Sequence, residues 1–127
     1  MARITVVGEH PGFLDAMYAA LDGVAGHEVT QFDADETTLR QVIASAPQLL
    51  IVDLRLAGEE MKGWDMLLLA REDLVLRSVP LIVCVANAPG LRQRATEFAR
   101  AGNAWTLGKP FSGEDVDVVV GRALNGG

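Results

Sequence analysis

The chain has 127 residues, half of them hydrophobic, with a net charge of −6 at pH 7 and one cysteine. That length suits a single domain with a substantial core. The negative charge argues against a nucleic-acid-binding surface, and no apolar stretch is long enough for a membrane span or a secretory signal. Because the lone Cys84 has no partner for an internal disulfide, a reducing, cytoplasmic setting is expected.

The first part of the chain predicts a strand, a helix and a second strand. An apolar run at residues 4–7 indicates the first strand, and a weak alternation at residues 27–32 indicates an edge-like second strand. Pro11 suits the first helical position, because its missing N–H would be unpaired there anyway, and Gly23 and Gly26 end the helix. Its apolar face at helical spacing comprises Phe13, Met17, Ala20, Leu21 and Val24.

A second helix and a central strand follow. Asp35 is predicted to cap the helix, and Pro47 ends it. The apolar face of this helix consists of Leu39, Val42, Ile43 and Ala46. Residues 49–53 are a nearly continuous apolar run that ends on Asp53, which is typical of a strand buried on both faces of a parallel sheet. Residues 54–63 are expected to be irregular.

The second half of the chain repeats the alternation, with strands predicted at residues 81–85 and 104–107. Three further helices have these apolar faces: Trp64, Leu67, Leu68 and Leu74; Leu91, Ala95, Phe98 and Ala99; and Val116, Val119, Val120, Ala123 and Leu124. Gly102 suits the C-terminal cap of the second of these helices. Ser112 and Asp115 form a capping box for the third.

Five strands that alternate with five helices predict a single-domain α/β fold with a doubly wound, five-stranded parallel sheet. Such sheets bind ligands at the carboxyl ends of their strands. Glu9, Asp53 and Lys109 follow the first, third and fifth strands, so we expect them at one edge. Adjacent carboxylates repel unless a cation such as Mg²⁺ or the lysine ammonium lies nearby. An ionised aspartate beside Mg²⁺ and a lysine is an adequate nucleophile towards phosphorus.

Four segments match the pattern of a known family: residues 6–11 (VVGEHP), 51–53 (IVD), 80–83 (PLIV) and 102–111, which ends in Lys-Pro-Phe. On these segments the whole chain, residues 1–127, resembles a response-regulator receiver domain, the phosphoacceptor module of two-component signalling. The resemblance implies a flavodoxin-like fold. It also implies a signalling role in a phosphorelay and no turnover activity, since the phosphoryl group is accepted by the module itself.

The resemblance assigns a role to four residues. Asp53 matches the aspartate that accepts a phosphoryl group from a partner histidine kinase or phosphotransfer protein, and Lys109 matches the lysine that binds this group. Glu9, Asp53 and the backbone carbonyl of Arg55 match the ligands of Mg²⁺. The resemblance further implies a downstream effector protein or domain that reads the state of the receiver.

Three positions depart from the family pattern. Gly8 stands where the family has the first of two acids, Val85 where it has Thr or Ser, and Thr106 where it has an aromatic switch residue. A lost hydroxyl at position 85 removes a hydrogen bond to the phosphoryl group, which is worth about 1.5–3 kcal/mol for a charged partner. The expected result is weak or absent Mg²⁺ binding, with Arg55 as a fixed cation that partly substitutes for the metal, and weakened switching. The alternatives are a phosphorylation-independent pseudo-receiver that binds other proteins and, less favoured, a flavodoxin-like cofactor enzyme.

Residues away from this site have simpler interpretations. His10 is expected to be an exposed residue at a helix start, and Cys84 a buried strand residue with little reactivity. Trp105, on the opposite strand face from Thr106, is expected to be partly buried. The charged residues of the last two helices predict either solvated faces or a homodimer in which the basic helix pairs with the acidic one; they are Arg92, Arg94, Arg100, Asp115 and Asp117.

Overall fold

The computed structural model describes residues 2–9, 11–23 and 26–126. Its strands are β1 (Arg3–Gly8), β2 (Glu28–Asp33), β3 (Leu49–Ala57), β4 (Glu60–Lys62), β5 (Leu81–Val85) and β6 (Ala104–Gly108). Its α-helices are α1 (Gly12–Gly23), α2 (Leu39–Ala44), α3 (Trp64–Glu72), α4 (Pro89–Arg100) and α5 (Gly113–Asn125). A single 3₁₀ turn (Leu76–Ser78) precedes β5. Within the described ranges, no helix has the length and apolarity needed to cross a membrane.

Five of the strands form a parallel sheet in the order β2-β1-β3-β5-β6. The chain reverses its direction of winding between β1 and β3, and this is where doubly wound sheets form their ligand crevice. The predicted doubly wound α/β fold is therefore confirmed. The remaining strand, β4, pairs only with the end of β3, and that pairing is antiparallel.

Each face of the sheet has its own core, because successive strand residues point to opposite faces. Ile51 packs with the apolar residues of α1 and α5 on one face. Leu50 and Val52 pack with those of α2, α3 and α4 on the other. Cys84 is buried in the layer of α1 and α5, as expected for a strand residue. The central position of β3 follows from this double burial.

The end of β3 differs from the prediction that residues 54–63 are irregular. The strand continues to Ala57, turns at Gly58 with a positive φ of 65°, and returns as β4. Arg55 lies opposite Lys62 in this hairpin. A two-residue turn needs positive φ, which glycine adopts without strain. The hairpin is one strand pair added to the predicted fold, and it lies directly beyond Asp53.

The capping predictions had mixed outcomes. The capping box at the start of α5 is confirmed, since Ser112 Oγ accepts a hydrogen bond from the Asp115 N–H and the Asp115 carboxylate accepts one from the Ser112 N–H. Gly102, the second residue after the end of α4, has the expected positive φ. Asp35 is not the cap of α2. That role belongs to Thr38, whose capping box uses Gln41 one turn into the helix.

Several predicted helix-face residues lie outside the core. Helix α3 ends at Glu72 because the Asp73 carboxylate accepts hydrogen bonds from the next main-chain N–H groups, which starts a turn. Leu74 is therefore 78% exposed. Leu68 and Leu124 are also exposed, and Ala46 lies beyond the end of α2. The predictions for His10 and Val24 fall outside the described residues.

Candidate functional site

Asp53 lies at the carboxyl edge of the sheet, where β3 passes between β1 and β5. Its side chain is fully buried, and the ammonium of Lys109 contacts its Oδ1 atom. Lys109 follows β6, and its main-chain N–H donates to the Val85 carbonyl oxygen at 2.9 Å. Strands β5 and β6 therefore position the lysine over the aspartate. The convergence of Asp53 and Lys109 expected from the sequence is observed.

The Arg55 side chain lies between two carboxylates. Its Nε atom is 3.7 Å from Glu9 Oε2 and 3.9 Å from Asp53 Oδ2. One terminal nitrogen of the same guanidinium lies 4.0 Å from Asp35 Oδ2. Glu9 is brought to this edge by β1 as expected, but it reaches Asp53 through the arginine. The Arg55 guanidinium thus contacts three carboxylates: those of Glu9 after β1, Asp35 after β2 and Asp53 within β3.

Lys62 adds a second contact between the hairpin and the loop after β2. Its Nζ atom is 3.4 Å from Asp35 Oδ1 and 3.5 Å from Glu60 Oε2. Asp35 therefore binds both cations of the hairpin, from its position in the turn before α2. The Asp35 carboxylate therefore contacts the hairpin beside Asp53, while Thr38 caps α2.

Within the part of the chain that the structure describes, the Asp53 carboxylate is compensated by the side chains of Lys109 and Arg55. Neither oxygen accepts a hydrogen bond from a hydroxyl group or a main-chain N–H. Burial raises the pKa of Asp53 above its ordinary value, and the negative charge of Glu9 adds to this effect. Lys109 and Arg55 lower the pKa of Asp53 without cancelling the effect of burial.

A phenyl ring fills the space beside Gly8. A Cβ atom at position 8 would lie 2.3 Å from the Phe13 ring, so any side chain there requires the ring to move. Phe13 packs edge-to-face with Phe111 at a centroid distance of 6.2 Å, and Lys109 Nζ lies 5.1 Å from the Phe13 centroid. The acid that the family places at position 8 is replaced by an aromatic contact that also covers the lysine.

The residues present do not fit a magnesium site. Mg²⁺ requires near-octahedral oxygen ligands, whereas a guanidinium separates the carboxylates of Glu9 and Asp53. No three His, Cys, Asp or Glu side chains form a possible metal-binding group among residues 2–9, 11–23 and 26–126. Arg55 was expected to contribute its backbone carbonyl, and what reaches the carboxylates is its side chain.

The switch positions also lack the expected chemistry. Val85 is buried in the core layer of α2, α3 and α4 and offers no hydroxyl towards Asp53. Thr106 is exposed on β6, and Trp105 packs partly buried on the other face of the sheet, as its alternation predicted. A conformational change carried by an aromatic side chain at position 106 is therefore impossible here.

Sequence reasoning proposed the Arg55 side chain as a fixed cation but missed the hairpin that positions it and the roles of Phe13, Asp35 and Lys62. One signal was present: Arg55 and Lys62 lie on either side of Gly58 at a spacing that allows a short hairpin. The position of the Phe13 ring had a weaker signal, the glycine at position 8. In the sequence, Gly8 indicates a lost metal ligand. In the structure, its lack of a side chain also leaves the space that the Phe13 ring occupies.

Comparison with solved structures places this architecture among receivers. A putative response regulator from Chloroflexus aurantiacus superposes with a TM-score of 0.81 at 23% identity, over 98% of each chain. The signal receiver domain of a signal transduction histidine kinase from Syntrophus aciditrophicus gives 0.81 at 21% identity, over 99% of this chain and 92% of that one. The chemotaxis response regulator CheY4 of Vibrio cholerae gives 0.77 at 20% identity, over 98% and 99%.

No family model matches the sequence, and neither does any curated protein. The structural likeness covers nearly the whole chain in each case. The chain therefore has the fold of a response-regulator receiver domain, in its flavodoxin-like, doubly wound form.

Proposed function

We propose that this chain is a receiver module of a two-component phosphorelay system that acts by binding partner proteins, independently of phosphorylation of Asp53. The observation that carries the proposal is the closed environment of Asp53. Its side chain has no exposed surface and lies against Lys109 and Arg55. A phosphodonor must reach a carboxylate oxygen in line with its leaving group, and this arrangement offers no open oxygen.

The partners follow from the same proposal. A histidine kinase or phosphotransfer protein on the upstream side and an effector protein or domain on the downstream side are the binding partners of such a module. The module is not a turnover enzyme. The net charge of −6 supports protein partners over nucleic acid, and the single buried thiol of Cys84 supports a cytoplasmic location.

We also propose a homodimer that forms through the charged faces of α4 and α5. Arg92, Arg94 and Arg100 lie exposed on α4, while Asp115 and Asp117 lie exposed on α5. Opposite charges on neighbouring helices favour a two-fold arrangement in which each helix meets the other helix of the second copy. Sedimentation at low and high salt tests this, because such a dimer weakens as salt screens the pairs.

The experiment for the main proposal is incubation of the purified chain with a small phosphodonor and Mg²⁺, followed by intact mass measurement. The expected result is no mass gain of one phosphoryl group, because the Asp53 side chain is buried and the residues that the structure describes around it do not fit Mg²⁺. A receiver that is known to accept phosphate serves as the positive control. A mass gain that disappears in Asp53→Asn would overturn the proposal.

A second candidate function, phosphoacceptance on Asp53, is favoured by one specific observation. Lys109 contacts Asp53 Oδ1 as the lysine of a working phosphoacceptor does in the family this chain resembles. Lysine neutralises charge on the transferred oxygens, so the pair supplies one of the two cations of that chemistry. In this case the mass gain appears in the wild-type chain and is lost in both Asp53→Asn and Lys109→Ala.

A further inference from the structure

We infer that Arg55 is a built-in cation that replaces the divalent metal of the site, and that the β3–β4 hairpin exists to deliver it. This inference rests on the proposed function, since it explains how the Asp53 region keeps its shape without Mg²⁺. Its first support is the position of the guanidinium, with Nε within 4 Å of both Glu9 and Asp53. The Arg55 side chain is only 19% exposed.

The second support is the electrostatic environment of the Nε atom. This atom is buried and has no hydrogen-bond partner among the residues that the structure describes, so the nearby carboxylates compensate the charge of the guanidinium. A buried cation costs several kcal/mol unless charges of opposite sign surround it. The side chain therefore belongs between these carboxylates and is not a solvated arginine that happens to lie near them.

The third support is the way in which the hairpin fixes Arg55. The strand pairing sets Arg55 opposite Lys62, and both side chains bind Asp35. The return of the chain also passes directly against Asp53. A Cβ atom at Gly63 would lie 2.3 Å from the Asp53 carbonyl oxygen, and Gly63 has a φ of 92°. Only glycine fits this contact. The hairpin therefore begins in the strand that carries Asp53 and ends at Gly63, which packs against the Asp53 carbonyl oxygen.

The fourth support is the charge balance. Glu9, Asp35 and Asp53 supply three negative charges, and Arg55, Lys62 and Lys109 supply three positive ones. The remaining partner is Glu60, at the solvent-exposed end of the hairpin, whose side chain is 68% exposed. Without this exposed glutamate the cluster is neutral, and a neutral cluster attracts a divalent cation weakly. The Phe13 ring beside Gly8 excludes a further carboxylate.

The test measures the unfolding temperature with and without millimolar MgCl₂ for the wild-type chain, Arg55→Met and Arg92→Met. Methionine keeps a long apolar side chain and removes the charge. Arg92 is the matched control, since it is an exposed arginine on α4 whose side chain donates a hydrogen bond to Asn87 and takes no part in the cluster around Asp53. The wild-type chain and Arg92→Met are expected to show no response to Mg²⁺. Arg55→Met is expected to unfold about 5 °C lower and to recover part of this loss when Mg²⁺ binds the freed carboxylates.

Two results would overturn the inference: a rise in the wild-type unfolding temperature with Mg²⁺, or an Arg55→Met chain that behaves as Arg92→Met does. If Arg55→Met does not fold, Arg55→Lys decides, because it keeps a cation and must stay insensitive to Mg²⁺. A mass gain on Asp53 that needs no Mg²⁺ would overturn the proposed function and leave this inference intact. A Mg²⁺ response of the wild-type chain would overturn this inference even if Asp53 accepts no phosphate.

Discussion

Asp53 combines two opposing demands within a single side chain. Its burial disfavours the charged form, and two cations favour it. Paired charges of this kind contribute little net stability, because desolvation offsets their attraction. The raised pKa indicates that the cations do not fully offset burial. The aspartate therefore serves the arrangement of the site more than the stability of the fold.

The raised pKa of Asp53 leads to a pH-dependent prediction. As the pH rises past the ordinary value of 3.8, the folded chain releases the proton of Asp53 at a higher pH than the unfolded chain does, because its pKa is raised. The contribution of Asp53 to the free energy of unfolding therefore falls as the pH rises above this value, until the folded chain has also released the proton. In urea titrations, the wild-type chain is expected to lose stability relative to Asp53→Asn over this window.

The control for that experiment is Asp22→Asn, since Asp22 is an exposed carboxylate on α1. The difference between the wild-type chain and this control should not change with pH in the same way. If the wild-type chain instead gains stability relative to Asp53→Asn as the pH rises, the pKa of Asp53 is lowered in the folded state, contrary to our assignment.

At the scale of single elements, the helices whose ends carry explicit sequence signals were the easiest to predict. Ser112 and Asp115 have the spacing of a capping box, and they form one. Asp35 has a residue type that also suits a cap, but its carboxylate binds Arg55 and Lys62 instead. A local signal fails when a residue distant in sequence competes for the same side chain.

The capping box of α5 supports a quantitative prediction. Ser112→Ala removes the side-chain oxygen that accepts the Asp115 N–H and should lower the free energy of unfolding by about 1 kcal/mol. Ser112→Asn, which retains a capping oxygen, should cost much less. Chemical denaturation of the three proteins measures both values. Equal losses in the two variants would mean that the hydroxyl does not act as a cap.

The hairpin could not be predicted because its register, and not its composition, decides what it does. A shift of one residue would turn Arg55 to the opposite face, and the sequence around Gly58 lacks the Asn-Gly or Asp-Gly pair that announces a tight turn. Side-chain direction at the end of a long strand is a property of tertiary structure.

For the whole molecule, the alternation of strands and helices was sufficient to predict the architecture. The meeting of Glu9, Asp53 and Lys109 at one edge also followed, because the carboxyl ends of parallel strands share an edge. What the alternation could not provide was the balance of charges at that edge. That balance depends on Arg55, which reaches the edge only because β3 runs four residues past Asp53.

The two core layers have a consequence that the lone cysteine makes measurable. The Cys84 thiol is fully buried in β5, and burial raises its pKa, so the reactive thiolate is scarce in the native protein. A thiol reagent such as Ellman's should therefore modify the chain only during rare openings of the sheet. The protein carries its own unfolding reporter, with no label to be engineered.

Leu50→Ala puts that reporter to use, because Leu50 lies in the layer of α2, α3 and α4, across the sheet from the thiol. The cavity should cost at least about 2 kcal/mol, and if both layers open as one unit, modification of Cys84 should accelerate about 30-fold or more. Unchanged kinetics would mean that the layers open separately. The absorbance change during thiol modification thus reports whether the two core layers unfold cooperatively or independently.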